Sequence, residues 1–201
     1  MPKVSPARSS PLDGFPPCRR FLVGLFSFPS CHSRVPFEDR FSMIRPYEPR
    51  DLDRIKEITV ICFEGVSIDH NIEKTFGQFA ETDWKARKAT HMDDDVAANA
   101  GGIFVYEENG VVIGYITTRI FRDALIGQIP NISVLPGHQG KGIGKALMNR
   151  AFDYFEQQGM KVAKIETLDQ NDVGQTFYPN AGFKEVARQI HYAMPLSDRK
   201  I

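Results

Sequence analysis

The sequence predicts a mixed α/β fold: a mixed sheet with one hairpin meander, its strands interspersed with helices. Three observations carry that prediction. Apolar residues recur at helical spacing over about 51–64, 68–79, 84–99 and 143–158. Between and after these stretches lie short alternating or β-branched runs that read as strands. Asn109-Gly110 separates two such runs and is the strongest two-residue hairpin signal a sequence carries.

The elements follow in chain order. Ile44–Tyr47 reads as a short strand. Asp51, after Pro49, is placed to cap a helix over about 51–64, with Leu52, Ile55, Ile58 and Ile61/Cys62 on one face. Helices are expected over Ile68–Phe79 and Trp84–Asn99, the second broken by Gly101-Gly102. Ile103–Glu107 and Val111–Phe121 form the two arms of the hairpin, and Leu125–Val134 is a further strand containing Pro130. Ile143–Gln158 reads as an amphipathic helix stopped by Gly159. Val162–Leu168 is a strand, Asp172–Asn180 a short helix, and Phe183–Met194 the last strand. The order β-α-α-α-β-β-β-α-β-α-β describes a mixed sheet with one meander and no internal repeat.

The chain has 201 residues, 25 Lys+Arg and 25 Asp+Glu, which suggests one domain with an appendage. Residues 1–42 hold 7 of the 13 prolines, 6 of the 15 phenylalanines and a net charge of +3; residues 43–201 carry 19 basic against 22 acidic residues, or −3. No period survives the prolines, so 1–42 is expected to be a disordered extension and 43–201 the folded domain. Three readings of the extension stand side by side: an upstream stretch from a start codon placed too early, a targeting segment built on Arg19-Arg20 and the eight-residue apolar run Phe21–Phe28, or an ordered arm. The charge balance argues against a nucleic-acid partner. No apolar run reaches the ~18–20 residues of a membrane span. Three cysteines without Cys-x-x-Cys spacing offer neither a disulfide framework nor a zinc site, so no metal is expected.

The chemistry concentrates in residues 131–183. Asn131-Ile-Ser-Val-Leu-Pro-Gly-His-Gln-Gly-Lys-Gly-Ile-Gly-Lys145 runs from a strand through a Gly-rich turn into a helix. Glycines at 140, 142 and 144 permit close backbone approach, and the helix start presents unpaired N–H groups suited to a pyrophosphate, with Lys141 and Lys145 nearby. A structural turn accounts for such a loop equally well. Spacing rules out two nucleotide motifs. A P-loop needs Gly at 135 or 139, where Leu135 and Gln139 stand. Gly-x-Gly-x-x-Gly needs a third Gly where Lys145 or Leu147 stands. What remains, Gln139-Gly-Lys-Gly-Ile-Gly144, fits Gln/Arg-x-x-Gly-x-Gly/Ala.

Val134–Leu147 resembles the acetyl-CoA loop of the GNAT N-acetyltransferase superfamily. Downstream, Asn171-x-x-Gly174-x-x-Phe177-Tyr178-x-x-x-Gly182-Phe183 resembles that superfamily's Asn-x-x-Ala-x-x-Leu-Tyr-x-x-x-Gly-Phe. The likeness spans about 43–195. It implies the GNAT acyl-CoA N-acyltransferase fold, a central, mostly antiparallel sheet with a splayed acetyl-CoA-binding strand, flanked by helices. It also implies an enzyme using acetyl-CoA as co-substrate and an amine as acceptor. By the same likeness the strand ending Ile132-Ser133-Val134 would pair with the pantetheine arm, with the Val134 N–H facing the thioester oxygen. Gln139, Gly140, Lys141, Gly142, Ile143, Gly144 and Lys145 would hold the pyrophosphate. Asn171 would bond the pantetheine or cap the helix that follows it. Tyr178 would protonate the leaving thiolate. Glu166 stands where the ribosomal-protein N-acetyltransferases of the superfamily carry a catalytic Glu. It is the expected base, with an outward-facing strand residue the competing reading. Gly174 in place of Ala, and Pro179 directly after Tyr178, depart from the pattern and leave the angle of Tyr178 in question.

The acceptor side is less legible. Phe63-Glu64-Gly65, Ser67, Asp69-His70-Asn71 and Trp84 are candidates, although Asp69-His70 also suits an ordinary helix start. His191 and Tyr192 on the last strand are alternative bases or acceptor contacts, with core or edge packing the favoured reading, and the run His91–Asp95 suggests a solvated turn rather than a metal cluster. Cys62 is expected to be a buried, inert thiol. A non-catalytic acyl-CoA-binding GNAT module and, from residues 1–42, a secreted or membrane-tethered interaction protein are the rival functions. A cytoplasmic location and a homodimer are further expectations from the family likeness.

Overall fold

A computed structural model describes residues 42–79 and 81–200, so the expectations for the first 41 residues lie outside the described residues. The elements are β1 (Ser42–Pro46), α1 (Leu52–Cys62), α2 (Ile68–Phe76), α3 (Trp84–Asn99), β2 (Phe104–Glu108), β3 (Val111–Ile116), β4 (Arg119–Phe121), β5 (Ile126–Ile129), β6 (Ile132–Val134), α4 (Ile143–Gln157), β7 (Val162–Ile165) and α5 (Asp172–Asn180). The strands form two sheets. One is antiparallel in the order β1-β2-β3-β6; the other has the order β4-β5-β7, with β5 and β7 parallel.

The hairpin turn forms as its sequence dictates. Asn109 (φ 53°) and Gly110 (φ 78°) both adopt the left-handed conformation that matches the twist of the flanking strands. Strand alternation then sorts the core. Phe104 and Ile116 pack toward α4 with Ile129, Leu147, Met148 and Phe155, whereas Val105 and Tyr115 pack toward α1 and α3 with Ile55, Ile58 and Met92. Each of these large apolar side chains contributes about 1.5–3 kcal/mol on burial.

Several expected elements differ from those observed. Val111–Phe121 is not one strand but two, broken at Thr117-Thr118, and Leu125–Val134 is broken at Pro130-Asn131. The breaks face each other, with the Thr117 N–H donating to the Asn131 carbonyl at 2.9 Å. Pro130 has no N–H to continue a ladder, so the chain leaves β7 there and joins β3. Asp51 does not cap α1 through its side chain; its carboxylate takes the Arg45 guanidinium at 2.7 Å and the Glu48 N–H at 2.8 Å. Strand β7 stops at Ile165, three residues short of the expected end. Residues 183–195 form no ladder among the described residues, although Val186, Ile190, Tyr192 and Met194 alternate as a strand would. A strand needs a partner as well as a period. Here Arg188 instead pairs with Asp169 and Glu185, both at 2.9 Å, and Tyr192 is 90% exposed rather than packed.

Candidate active site

The strand change at Pro130-Asn131 shapes the site. β5 lies beside β7 and β6 lies beside β3, and among the described residues no strand pairs with the other edge of β6, which is its open edge. Asn131 and Leu135 bond toward β3, through Thr117 and Ile113. Alternation therefore turns the N–H groups of Ile132 and Val134 to the open edge, while Ser133 faces the ladder. The Val134 carbonyl accepts from the Gln139 Nε2 at 2.9 Å and from the Cys62 Sγ at 3.5 Å. Gln139 thus ties the loop back onto β6. Burial pushes the Cys62 thiol up to about 11, which keeps it protonated at neutral pH, in line with an inert thiol.

The loop after β6 depends on glycine for its path. Gly140 (φ 75°) and Gly142 (φ 83°) are left-handed, and beyond their chain neighbours no atom of the described residues lies within 4 Å of where a Cβ would stand at either position. The loop is thus strained for other residues but open to a ligand. Gly142 is the N-cap of α4 and carries no side chain, whereas Ser67, Asp83 and Asn171 each accept an N–H at the head of α2, α3 and α5. The N–H groups of Ile143, Gly144 and Lys145 therefore form an uncapped, electropositive helix start. Lys141 and Lys145 are exposed beside it.

Helix α5 packs against that start: the Phe177 ring lies 3.4 Å from the Cβ position of Gly144. Tyr178 packs edge-on against Phe177 and Phe183, and burial pushes its hydroxyl up to about 12. Asn171 caps α5, accepting from the Gly174 N–H at 3.1 Å and donating to the Thr167 Oγ1 at 2.9 Å. A Cβ at Gly174 would stand 2.6 Å from the Thr167 Oγ1 and 3.1 Å from the Tyr178 ring, so Ala does not fit there without a shift. The departure from Ala follows from that crowding.

Glu166 sits one residue past β7, with its side chain 58% exposed and paired to Lys164 at 2.6 Å. Ala163 and Ile165 pack toward the α4 core together with Tyr178, so Lys164 and Glu166 face the other side of the ribbon. Glu166 and Tyr178 lie on opposite faces.

On the acceptor side, Ser67 caps α2 by accepting the His70 N–H at 3.1 Å, as an ordinary helix start would. His70 also accepts the Gly65 N–H through Nδ1 at 2.7 Å and stacks on Trp84 at 4.6 Å. Two features are absent from the sequence reading. Gln170, after β7, bonds both Asn71 (2.9 and 3.1 Å) and the Gly65 carbonyl (2.6 Å), linking the α1–α2 segment to the β7–α5 loop. Asp95, expected on a solvated turn, is 1% exposed inside α3, while its neighbours Asp93 and Asp94 are exposed. The spacing Trp84, Lys88, Met92, Asp95 was the available signal: these four residues make one buried stripe. Among the described residues no group of three His, Cys, Asp or Glu converges as metal ligands would, and no helix is long and apolar enough to cross a membrane.

Residues 66–183 match the family model described as the acetyltransferase (GNAT) family. The chain belongs to the GNAT acetyltransferase family. This GNAT chain is 31% identical over 116 residues to a mycothiol acetyltransferase of Streptomyces avermitilis, covering 58% of this chain and 36% of that protein. It is 25% identical over 155 residues to an uncharacterized N-acetyltransferase of Methanocaldococcus jannaschii, covering 72% and 64%. It therefore spans only a third to two thirds of the length of these relatives. In fold it is similar to the PaiA N-acetyltransferase of Thermoplasma acidophilum, crystallised with coenzyme A, at a TM-score of 0.58 and 21% identity over 72% of this chain and 90% of that one.

Proposed function

We propose that this chain transfers the acetyl group of acetyl-CoA to a primary amine of a small molecule or protein, by direct attack in a ternary complex. The observation that carries the reading is the open edge of β6 leading into an uncapped α4 start within a matched GNAT sequence. The residues present fit acetyl-CoA: the outward N–H groups of Ile132 and Val134, on a β6 edge with no partner strand among the described residues, for the amide groups of the pantetheine arm, and the helix-start N–H groups with two lysines for its pyrophosphate.

The neutral amine attacks the thioester carbonyl carbon. As the C–N bond forms, negative charge gathers on the carbonyl oxygen, and the Val134 N–H stabilises it. One such donor is worth about 3–4 kcal/mol in an oxyanion hole. Collapse breaks the C–S bond, and Tyr178 gives its proton to the departing sulfur. Its raised pKa keeps that proton in place throughout the working pH range. Glu166, exposed at the end of β7 on the face away from Tyr178, where the amine would enter, takes the proton that the nitrogen loses, directly or through water. Asn171 holds the start of α5 and thereby the bearing of Tyr178.

Titration calorimetry with acetyl-CoA, joined to a free-CoA release assay over small amines and peptide N-termini, tests the reading. Binding with turnover on at least one amine, reduced in Glu166→Gln, is expected. Binding with no turnover on any amine would instead favour a non-catalytic acyl-CoA-binding module. No binding would sink both.

A further inference from the structure

The two strand breaks leave a polar seam inside the molecule, and one helix fills it. Asp95 of α3 accepts from the Thr117 Oγ1 at 2.7 Å, from the Asn131 Nδ2 at 2.7 Å, and from the Arg119 Nε and Nη2 at 3.1 and 2.7 Å. Asn131 in turn accepts the Lys88 Nζ at 3.0 Å through its side chain, and its N–H donates to the Thr117 Oγ1 at 3.1 Å. One helical turn beyond Asp95, Asn99 donates to the carbonyl and hydroxyl of Thr118 at 3.2 and 3.0 Å and accepts from the Tyr154 hydroxyl. Asp95 and Asn99, four apart on α3, thus satisfy the groups that both strands expose where they change sheet.

A seam made only for stability would be better built from apolar side chains. Burying a carboxylate has a large desolvation cost, and apolar replacements of such pairs are often as stable or more so. What a fully bonded polar cluster supplies is a single geometry. Here that geometry belongs to Asn131, the residue directly before β6.

We infer that Asp95 and Asn131 are positioning residues that hold β6 splayed from β7 before any ligand arrives, and so aim the Val134 N–H. The inference rests on the proposed function for its catalytic meaning, but the splay itself is measurable without a ligand. Its basis is complementarity across one pair: a carboxylate on α3 accepts from an amide on the strand, whose carbonyl accepts from Lys88. Asp95→Asn sets amide against amide and removes the charge facing Arg119. Asn131→Asp sets carboxylate against carboxylate. The double variant Asp95→Asn with Asn131→Asp restores a donor facing an acceptor and lets Lys88 pair with a carboxylate.

Amide hydrogen exchange on the ligand-free protein and acetyl-CoA titration on all four proteins form the test. Each single variant is expected to speed exchange at Asn131, Ser133 and Leu135, whose N–H groups face β3, about tenfold, with residues 104–108 of β2 unchanged, and to weaken acetyl-CoA binding about tenfold. The double variant should recover most of both losses, and confinement of the change to these three amides is what a merely structural role for either residue does not predict. Unchanged exchange at these three amides in both single variants overturns the inference. So does equal loosening of β2, or a double variant no better than the worse single. If wild type binds no acetyl-CoA, the proposed function falls, and the exchange arm alone upholds or overturns the seam.

Discussion

The two halves of the site are built from different materials. The β6–loop–α4 half is made of backbone: the open N–H groups of Ile132 and Val134, the left-handed turns at Gly140 and Gly142, and the uncapped head of α4. The β7–α5 half is made of side chains: Glu166, exposed and paired to Lys164, the capping Asn171, and Tyr178 packed between two Phe rings. Backbone groups are held by topology and are largely indifferent to side-chain identity. Individual side chains are not. The first half is therefore expected to govern binding of acetyl-CoA and the second the rate of transfer.

The largest expected effect tests that division directly. Tyr178→Phe removes the proposed proton donor and should lower kcat about 100-fold, while calorimetry should find the acetyl-CoA Kd within about twofold of wild type. If Kd moves as far as kcat, the halves are not separable. Because burial raises the Tyr178 pKa to about 12, its O–H form persists below that value. A kcat profile from pH 6 to 10 should therefore show no basic limb that Tyr178→Phe abolishes. The mirror experiment is Gly142→Ala. A methyl group at φ 83° carries about 1–2 kcal/mol of strain, so the Kd should weaken about tenfold with kcat at saturation unchanged.

Smaller effects sharpen the boundary between the halves. Gly174→Ala would place a methyl group against Thr167 and Tyr178. It should destabilise the protein by about 1–3 kcal/mol in a denaturant titration and lower kcat a few-fold, with binding preserved. Cys62 should give the smallest signal. Its pKa of about 11 leaves the thiol protonated at pH 7.5. Peptide mapping should find Cys62 almost unlabelled by iodoacetamide there, with labelling accelerating as the pH approaches that value. Rapid labelling at neutral pH would mean that the packing of α1 on β6 is looser than described.

Much of the architecture was legible. The hairpin at Asn109-Gly110, the bounds of α3 and α5, and the strand-loop-helix from Ile132 to Lys145 all follow from local rules: two residues that accept positive φ, Asp83 and Asn171 with short polar caps, and glycines before an amphipathic stretch. What stayed hidden has one cause. Periodicity reports which side chains share a face, but not which strand lies alongside. The apolar run through Pro130 looks like one strand, although its two ends bond to different neighbours. The tail after Phe183 alternates like a strand without finding a ladder. Asp95 is masked by Asp93 and Asp94, because composition registers three acids where the helix buries only one.

The sequence by itself determined the family, the mixed α/β class and the set of groups proposed to face an acyl-CoA, since glycines, caps and turn pairs act over a few residues and leave their mark on local spacing. Only the tertiary structure decided that β6 parts from β7, that Glu166 and Tyr178 lie on opposite faces, and that Asp95 reaches Asn131 across 36 residues of chain. Those outcomes depend on pairing between distant segments, and a strand's own residues specify its faces without specifying its neighbour.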